Sequence, residues 1–220
     1  MRADEIVTLV RVMSTLGVHK VRLTGGEPLL RHDVVSLVQS LARIPGVDDV
    51  AMTTNGSMLT QEKAEDLKRA GLNRITVGID SLDVGRFGAI NGVNFSPARV
   101  LNGIDSADRA GLSLVKVNVV VKRNMNDEDI LPLAEHFRFT GHTVRFIEFM
   151  DVGLSNGWSR KDVVPSTEIL DCIASRWPLH PVGRGYYGEV AARYAYDDGG
   201  GELGLIASVT QPFCRDCTRA

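Results

Sequence analysis

Cysteine is scarce in this 220-residue sequence, with three in all. That is too few for a disulfide framework, and two of them stand as Cys214-x-x-Cys217, a usage that suits a reducing cytosol. An excess of one charge is also missing: 25 Lys and Arg face 27 Asp and Glu, for a net charge of −2. So even a balance excludes a general nucleic-acid or membrane-surface binder, and any polyanion must meet a local group of cations. Long apolar runs are absent too. None approaches the roughly 18 residues of a membrane span, and the longest apolar strand, Val117 to Val121, is interrupted by Asn118. The start, Met1-Arg2-Ala3-Asp4-Glu5, carries acids where a signal peptide has its basic region. What is present is ordinary for a folded protein: 44% hydrophobic and 24% charged residues, which argues against disorder and fibrous repeats.

The order of patterns is strand then helix, repeated. Ile6, Leu9, Val10, Met13 and Leu16 fall at helical spacing before a stop at Gly17. Strands are expected from near residues 20, 49, 74, 114 and 143, with helices over 33–42, 60–70, 97–110 and 127–139 between them. Parallel strands need such crossovers, and the Val/Ile-rich strands read as a sheet covered by helices. After Met150 the pattern changes. A loop over 151–164 leads to a capped amphipathic helix over 166–177, Pro178 and Pro181 then break the chain, and a hairpin is expected over 189–196 and 202–210. The expected division is residues 1–150 as a partial barrel and 151–220 as an α+β appendage.

Polar residues inside the strands are the strongest chemical signal. Lys20, Arg22 and Thr24 share one face of the first strand, Lys116 and Asn118 one face of the fourth, and Arg145 alternates with Val144 and Phe146 in the fifth. A desolvated cation costs several kcal/mol unless paired. Neighbouring acids such as Glu27, Asp80 or Glu148 could pair with them, or a phosphorylated ligand at a barrel mouth could neutralise them together. Thr24-Gly25-Gly26-Glu27-Pro28 ends the first strand. Its glycines let backbone N–H groups approach a ligand, and Glu27 can accept from an ammonium group. The dinucleotide and P-loop glycine patterns are absent, no Ser/His/Asp or Cys/His triad is supported, and the five histidines are scattered. Cys172 lies among Ile169, Leu170 and Ile173 and reads as a core thiol.

The run Val21-Arg22-Leu23-Thr24-Gly25-Gly26-Glu27-Pro28-Leu29-Leu30-Arg31, then Thr53-Thr54-Asn55-Gly56, then Asp80-Ser81-Leu82-Asp83, resembles the core of a radical S-adenosylmethionine enzyme. Lys116-Val117-Asn118-Val119-Val120, Arg145-Phe146-Ile147-Glu148-Phe149-Met150-Asp151-Val152-Gly153, Tyr187-Gly188-Glu189 and Phe213-Cys214-Arg215-Asp216-Cys217-Thr218-Arg219-Ala220 narrow the resemblance to the GTP 3′,8-cyclases of molybdenum-cofactor biosynthesis. That resemblance implies an incomplete (β/α)₆ TIM-like barrel, S-adenosylmethionine, and two [4Fe–4S] clusters. It also implies a 5′-deoxyadenosyl radical that takes hydrogen from C3′ of GTP, after which C3′ joins C8 of guanine. By resemblance Arg22, Thr53, Lys116, Arg145 and Arg219 serve GTP, Gly26, Glu27 and Met150 serve S-adenosylmethionine, and Cys214 and Cys217 are two of three thiolates of the GTP-side cluster. The implied partners are an electron donor and the next pathway enzyme, cyclic pyranopterin monophosphate synthase, with a homodimer admissible; nucleic acid and membrane are excluded.

Two departures from the family pattern follow. Gly78 in Val77-Gly78-Ile79-Asp80 stands where the family carries Ser, which removes a hydroxyl expected to contact S-adenosylmethionine. The C-x-x-x-C-x-x-C of the radical-generating cluster does not occur, so the expectation is a barrel without its first strand, inactive as this chain alone. Two other readings of the same residues are an aldolase-like barrel with Lys116 as a Schiff-base lysine and a non-catalytic GTP-binding remnant.

Overall fold

A computed structural model describes residues 1–92, 95–112, 115–152, 157–186 and 188–212. The chain forms two compact units, one of residues 1–78 and 98–115, the other of residues 79–97 and 116–220.

In the first unit, strands β1 (Lys20–Leu23), β2 (Asp49–Thr54) and β3 (Arg74–Gly78) are parallel and adjacent in that order. Helices α1 (Ala3–Thr15), α2 (Val34–Ala42), α3 (Gln61–Arg69) and α5 (Pro97–Arg109, all but its first residue) belong to the same unit. Alternation fixes the two faces. Val50, Met52, Ile75 and Val77 point to one side and join Leu37, Leu41, Leu67 and Ile104 as core. Arg22, Ala51, Thr53 and Thr76 point to the other, because register pairs Arg22 with Ala51 and Thr53 with Thr76. Thr60 caps α3 through its hydroxyl, which accepts from Lys63 N–H at 3.2 Å. Gly56 has φ +72°, and a Cβ there would lie 2.8 Å from Val77 Cγ1, so the turn after β2 needs glycine twice over.

The helix expected at the start of the chain is present as α1, and its apolar residues are not all covered. Val10 is buried, but Leu9 and Leu16 are 44% and 79% exposed, so the apolar residues of this helix divide between core and surface. Helical spacing marks neighbours on a face without saying how wide the covered part of that face is.

In the second unit, β4 (Lys116–Val121) lies parallel to β5 (Thr143–Glu148), which lies parallel to β8 (Glu202–Ile206). β7 (Ala192–Tyr196) is antiparallel to β8 and to β6 (Leu179–Val182). Val117, Val119, Val121, Val144 and Phe146 pack with α6 (Ile130–Phe137) and α7 (Ser166–Ala174). Strand β6 corrects the expectation that Pro178 and Pro181 end regular structure. Among the described residues it pairs with β7 alone, and a strand with one neighbour tolerates a residue without an N–H. The expected cap of α7 is also corrected: Pro165 precedes it with no side-chain cap, and Glu148 accepts the Ser166 N–H at 2.8 Å instead.

Helix α4 (Val84–Asn91) starts on Asp83, whose carboxylate accepts from Arg86 N–H at 2.8 Å. Arg86 then binds the buried Asp129 at 2.8 and 3.1 Å, a two-pronged pair that fastens α4 to the start of α6. Asn126, 1% exposed, ties three segments: its amide N–H groups donate to the carbonyls of Asp80 and Val120, both at 2.8 Å, and its oxygen accepts Lys122 N–H at 2.8 Å. Arg138 lies over the Trp177 ring at 4.5 Å and the Tyr196 ring at 4.9 Å, and it pairs with Asp198 in the β7–β8 turn.

Candidate substrate and cofactor site

The first unit gathers hydroxyls around one cation. Arg22 donates to Thr53 Oγ1 at 2.8 Å and Thr76 Oγ1 at 3.2 Å, three residues from three adjacent strands on one face. Arg22 is exposed while Thr76 is 3% exposed, so the anchored guanidinium still reaches solvent. Toward the other end of the same face Arg74 pairs with Asp49, which leaves the Arg22 end as the one where the cation is met by neutral hydroxyls among its described bonds. Gly78 follows two residues after Thr76, and nothing lies within 4 Å of where its Cβ would stand. Thr76 was not singled out from the sequence; a threonine between Ile75 and Val77 in a buried strand was the available signal.

Beyond β1, Thr24-Gly25-Gly26-Glu27 makes the turn. Gly25 has φ +143°, and a Cβ at Gly25 or Gly26 would meet nothing within 4 Å, so the backbone borders open space. That opening fits the approach of a small polar group such as an aminoacyl end. A cavity of about 240 Å³ also touches this turn, but Ile6, Leu23, Val34 and Leu37 line its other side, opposite to Arg22. It lies below the roughly 300–1,000 Å³ of typical ligand pockets and is largely apolar. Glu27 does not point outward to a ligand with both oxygens free. Its Oε1 accepts from Thr54 Oγ1 at 2.6 Å and Leu29 N–H at 3.0 Å, and its Oε2 accepts from Asn55 N–H at 2.7 Å. The carboxylate thereby ties the turn after β1 to the turn after β2. Thr54 and Asn55 are the partners that sequence reading passed over. Arg31, three residues beyond Pro28, binds Asp33 at 2.9 and 2.8 Å and holds its carboxyl below the ordinary value.

The second unit carries Lys116 and Arg145 on adjacent strands. Register sets Asn118 beside Arg145, and Lys116 lies two residues before Asn118, so all three share a face. Arg145 is 9% exposed. Its stem crosses β8 at Gly204, where a Cβ would stand 2.9 Å from Arg145 Cγ; only glycine leaves that path open. Met150, 39% exposed, follows β5 by two residues. Asp80 accepts Val120 N–H at 2.8 Å, and burial pushes its carboxyl up to about 6 against the pull of that bond.

Cys214, Cys217 and Arg219 lie outside the described residues. Among the described residues no group of three or more His, Cys, Asp or Glu could hold a metal ion, and no helix is long and apolar enough to cross a membrane. Cys172 is half-buried, and burial followed by the nearby Glu168 charge pushes its thiol up, away from the reactive thiolate.

Residues 1–137 match the radical SAM superfamily, and residues 142–220 match the Molybdenum Cofactor Synthesis C family. The GTP 3′,8-cyclase of Xanthomonas axonopodis pv. citri is 51% identical over 217 residues, which cover 99% of this chain and 65% of that protein. The GTP 3′,8-cyclase of Acidothermus cellulolyticus is 50% identical over 98% of this chain and 59% of its own length. The chain thus spans about two thirds or less of the curated relatives it matches. Among solved structures, Streptococcus suis SuiB aligns with a TM-score of 0.64 at 17% identity, over 80% of this chain and 39% of that one. Native anSMEcpe with bound AdoMet aligns at 0.59 and 14% identity, over 80% and 51%. The strand–helix order expected from the sequence is therefore that of a partial TIM-like barrel, and the chain belongs to the radical SAM superfamily.

Proposed function

We propose that this chain acts as a GTP 3′,8-cyclase or a part of one, in molybdenum-cofactor biosynthesis. The observation that carries the reading is the 51% identity to such a cyclase across 99% of the chain. The arrangement of Arg22, Thr53 and Thr76 is consistent with it, because a guanidinium anchored by two hydroxyls suits a phosphate oxygen. By resemblance Lys116 and Arg145, which share a face within the second unit, are read as further GTP residues. The Gly25–Gly26 backbone suits the aminoacyl end of S-adenosylmethionine, and Met150 is read as an S-adenosylmethionine residue by resemblance.

The donor set Cys214-x-x-Cys217 suits iron, with the cysteines as two thiolates of an iron–sulfur cluster. Where the C-x-x-x-C-x-x-C thiolates of the family are also present, bound S-adenosylmethionine and iron–sulfur clusters would supply the radical that removes hydrogen from the ribose. The chain's own residues bind and orient. Arg22 is fixed by two hydroxyls before substrate arrives, so little side-chain entropy is lost on binding. Glu27 is read as serving S-adenosylmethionine, and its carboxylate also holds the glycine turn against the Thr54–Asn55 turn. An electron donor, a pathway partner that takes up the cyclised nucleotide, and a reducing cytosolic setting belong to the same reading.

The test is isothermal calorimetry of GTP with the wild-type chain and Arg22→Ala, followed by anaerobic assay for 5′-deoxyadenosine with iron and sulfide supplied. GTP binding that drops by about tenfold or more in Arg22→Ala supports the reading. No GTP binding by the wild-type chain, or equal binding by the variant, would sink it.

A further inference from the structure

Strand β4 has two unlike faces. Val117, Val119 and Val121 are buried on one. The other carries Lys116 and Asn118, both half-buried, and Val120, which is exposed, so this face borders open space. A cation, an amide and an apolar side chain thus stand in a row, each about 6.5 Å from the next along the strand. Arg145 adds a second cation beside Asn118, and its stem runs over Gly204 on β8, on the side of β5 away from β4.

Asn118 is the anomaly in this row. Its backbone is spent on the sheet, where the carbonyl accepts Ile79 N–H at 3.0 Å. Its Oδ1 is shut off from solvent and, among the described residues, receives no hydrogen bond. Asn126, by contrast, uses both ends of its amide within the fold. An unfilled acceptor weakens a fold, and a valine like those at 117, 119 and 121 suits a strand better than asparagine does. A polar group that the fold leaves unsatisfied, on a face that borders open space, is one that a ligand can satisfy.

The neighbours narrow the ligand group. Lys116 and Arg145 repel an ammonium, and they are the groups that an anionic oxygen would meet first. A hydroxyl fits the place between: it donates and accepts, so it serves the amide whichever end a half-turn about χ2 presents. We propose that Asn118 binds a sugar hydroxyl of a nucleoside triphosphate whose phosphates lie toward Lys116. The identity of the nucleotide rests on the GTP reading above, while the order of groups comes from β4 itself.

The test is calorimetry of wild type and Asn118→Val with GTP, 2′-deoxy-GTP, 3′-deoxy-GTP and inorganic tripolyphosphate. The variant should bind GTP about three- to tenfold more weakly, the worth of one hydrogen bond, and tripolyphosphate as the wild type does. One of the deoxynucleotides should bind the wild type more weakly than GTP by a similar factor and should not distinguish the two proteins. The urea midpoint of Asn118→Val should stand at or above that of the wild type, because an unfilled acceptor has been removed. Asn118→Ala takes its place in the binding series if valine is not accommodated.

Equal GTP binding by wild type and variant would overturn the proposal. So would an equal fall for GTP and tripolyphosphate, which would assign the amide to the phosphates, or deoxynucleotides that both bind the wild type as GTP does. A midpoint lowered in both variants would assign the amide to the fold instead. If ATP binds the wild type as tightly as GTP and loses the same factor in the variant, the sugar contact stands and the GTP reading falls. A wild type that binds tripolyphosphate but no nucleoside triphosphate would end both.

Discussion

The Thr54 hydroxyl donates to the Glu27 carboxylate at 2.6 Å while accepting the Gly56 N–H at 3.0 Å. One side chain, 4% exposed, therefore links the turn after β1 to the turn after β2. Because Thr53 is its neighbour and Arg22 leans on Thr53, a disturbance at Glu27 reaches the guanidinium within two residues.

Thr54→Val keeps the shape and deletes both bonds. It should cost about 1–3 kcal/mol, since a half-buried carboxylate oxygen loses one of its two donors and the buried Gly56 N–H loses its acceptor. Urea denaturation measures the loss, and Thr54→Ser should recover most of it. A Val variant as stable as wild type would mean that the two turns hold without each other.

Gly78 sits on the Arg22 face with open space where its Cβ would be, and its backbone is outside the left-handed region. Gly78→Ser should be accepted with a change within about 0.5 kcal/mol, as for substitutions away from packed features. By restoring the hydroxyl expected of the family, it should tighten S-adenosylmethionine binding, read by calorimetry. Weaker binding at unchanged stability would show that the open space is itself used.

At Gly204 the reverse holds. Gly204→Ala drives a methyl to 2.9 Å from Arg145 Cγ and 3.3 Å from Ala191 Cβ, so Arg145 must move. Overpacking of this kind costs about 1–3 kcal/mol. GTP affinity should fall with it, and a structure with Arg145 undisplaced would refute the argument.

Asp80 sets a pH dependence. Its folded value of about 6 lies above the unfolded value near 3.9, so the folded state binds the proton more readily. The contribution is full below about pH 4 and is lost as pH rises through about 6. Glu148, lowered in the fold, acts in the opposite sense and loses its contribution as pH falls below the usual carboxylate range. Between about pH 5 and pH 7 the Asp80 term stands apart. Denaturation midpoints of Asp80→Asn should fall less over that window than those of wild type, because the amide can still accept Val120 N–H without titrating. Parallel curves for the two proteins would count against it.

Much of the fold was legible in period. The strands β1 to β5 and the helices between them follow from alternating or 3.6-residue patterns, and the polar face of β1 from Lys20, Arg22 and Thr24. What was not legible depended on partners distant in sequence. Pro181 forbids a strand locally but not one with a single neighbour, and whether Leu9 is covered depends on what packs beside α1. The site divided the same way. Arg22, Lys116 and Arg145 announced themselves as polar groups in apolar strands, and Thr53 came only with the family resemblance. Thr76, Thr54 and Gly204 were silent because each matters for what it touches across a strand or a turn, not for its own chemistry. Glu148 was visible as an acid near cations, and only the fold reveals that its oxygens serve backbone N–H groups and a threonine.

Hydrolysis of the Asn126 amide would undo the junction it makes. Its NH₂ faces two carbonyls and its oxygen faces an N–H, so hydrolysis to a carboxylate would turn two attractions into repulsions at a buried point. While the fold holds, the rigid backbone around Asn126, whose own N–H donates to Lys122, resists the bending that such hydrolysis needs. Every excursion to the unfolded state lifts that restraint. The damage is then written in covalent bonds, and a chain that has aged in this way cannot regain the original junction by refolding.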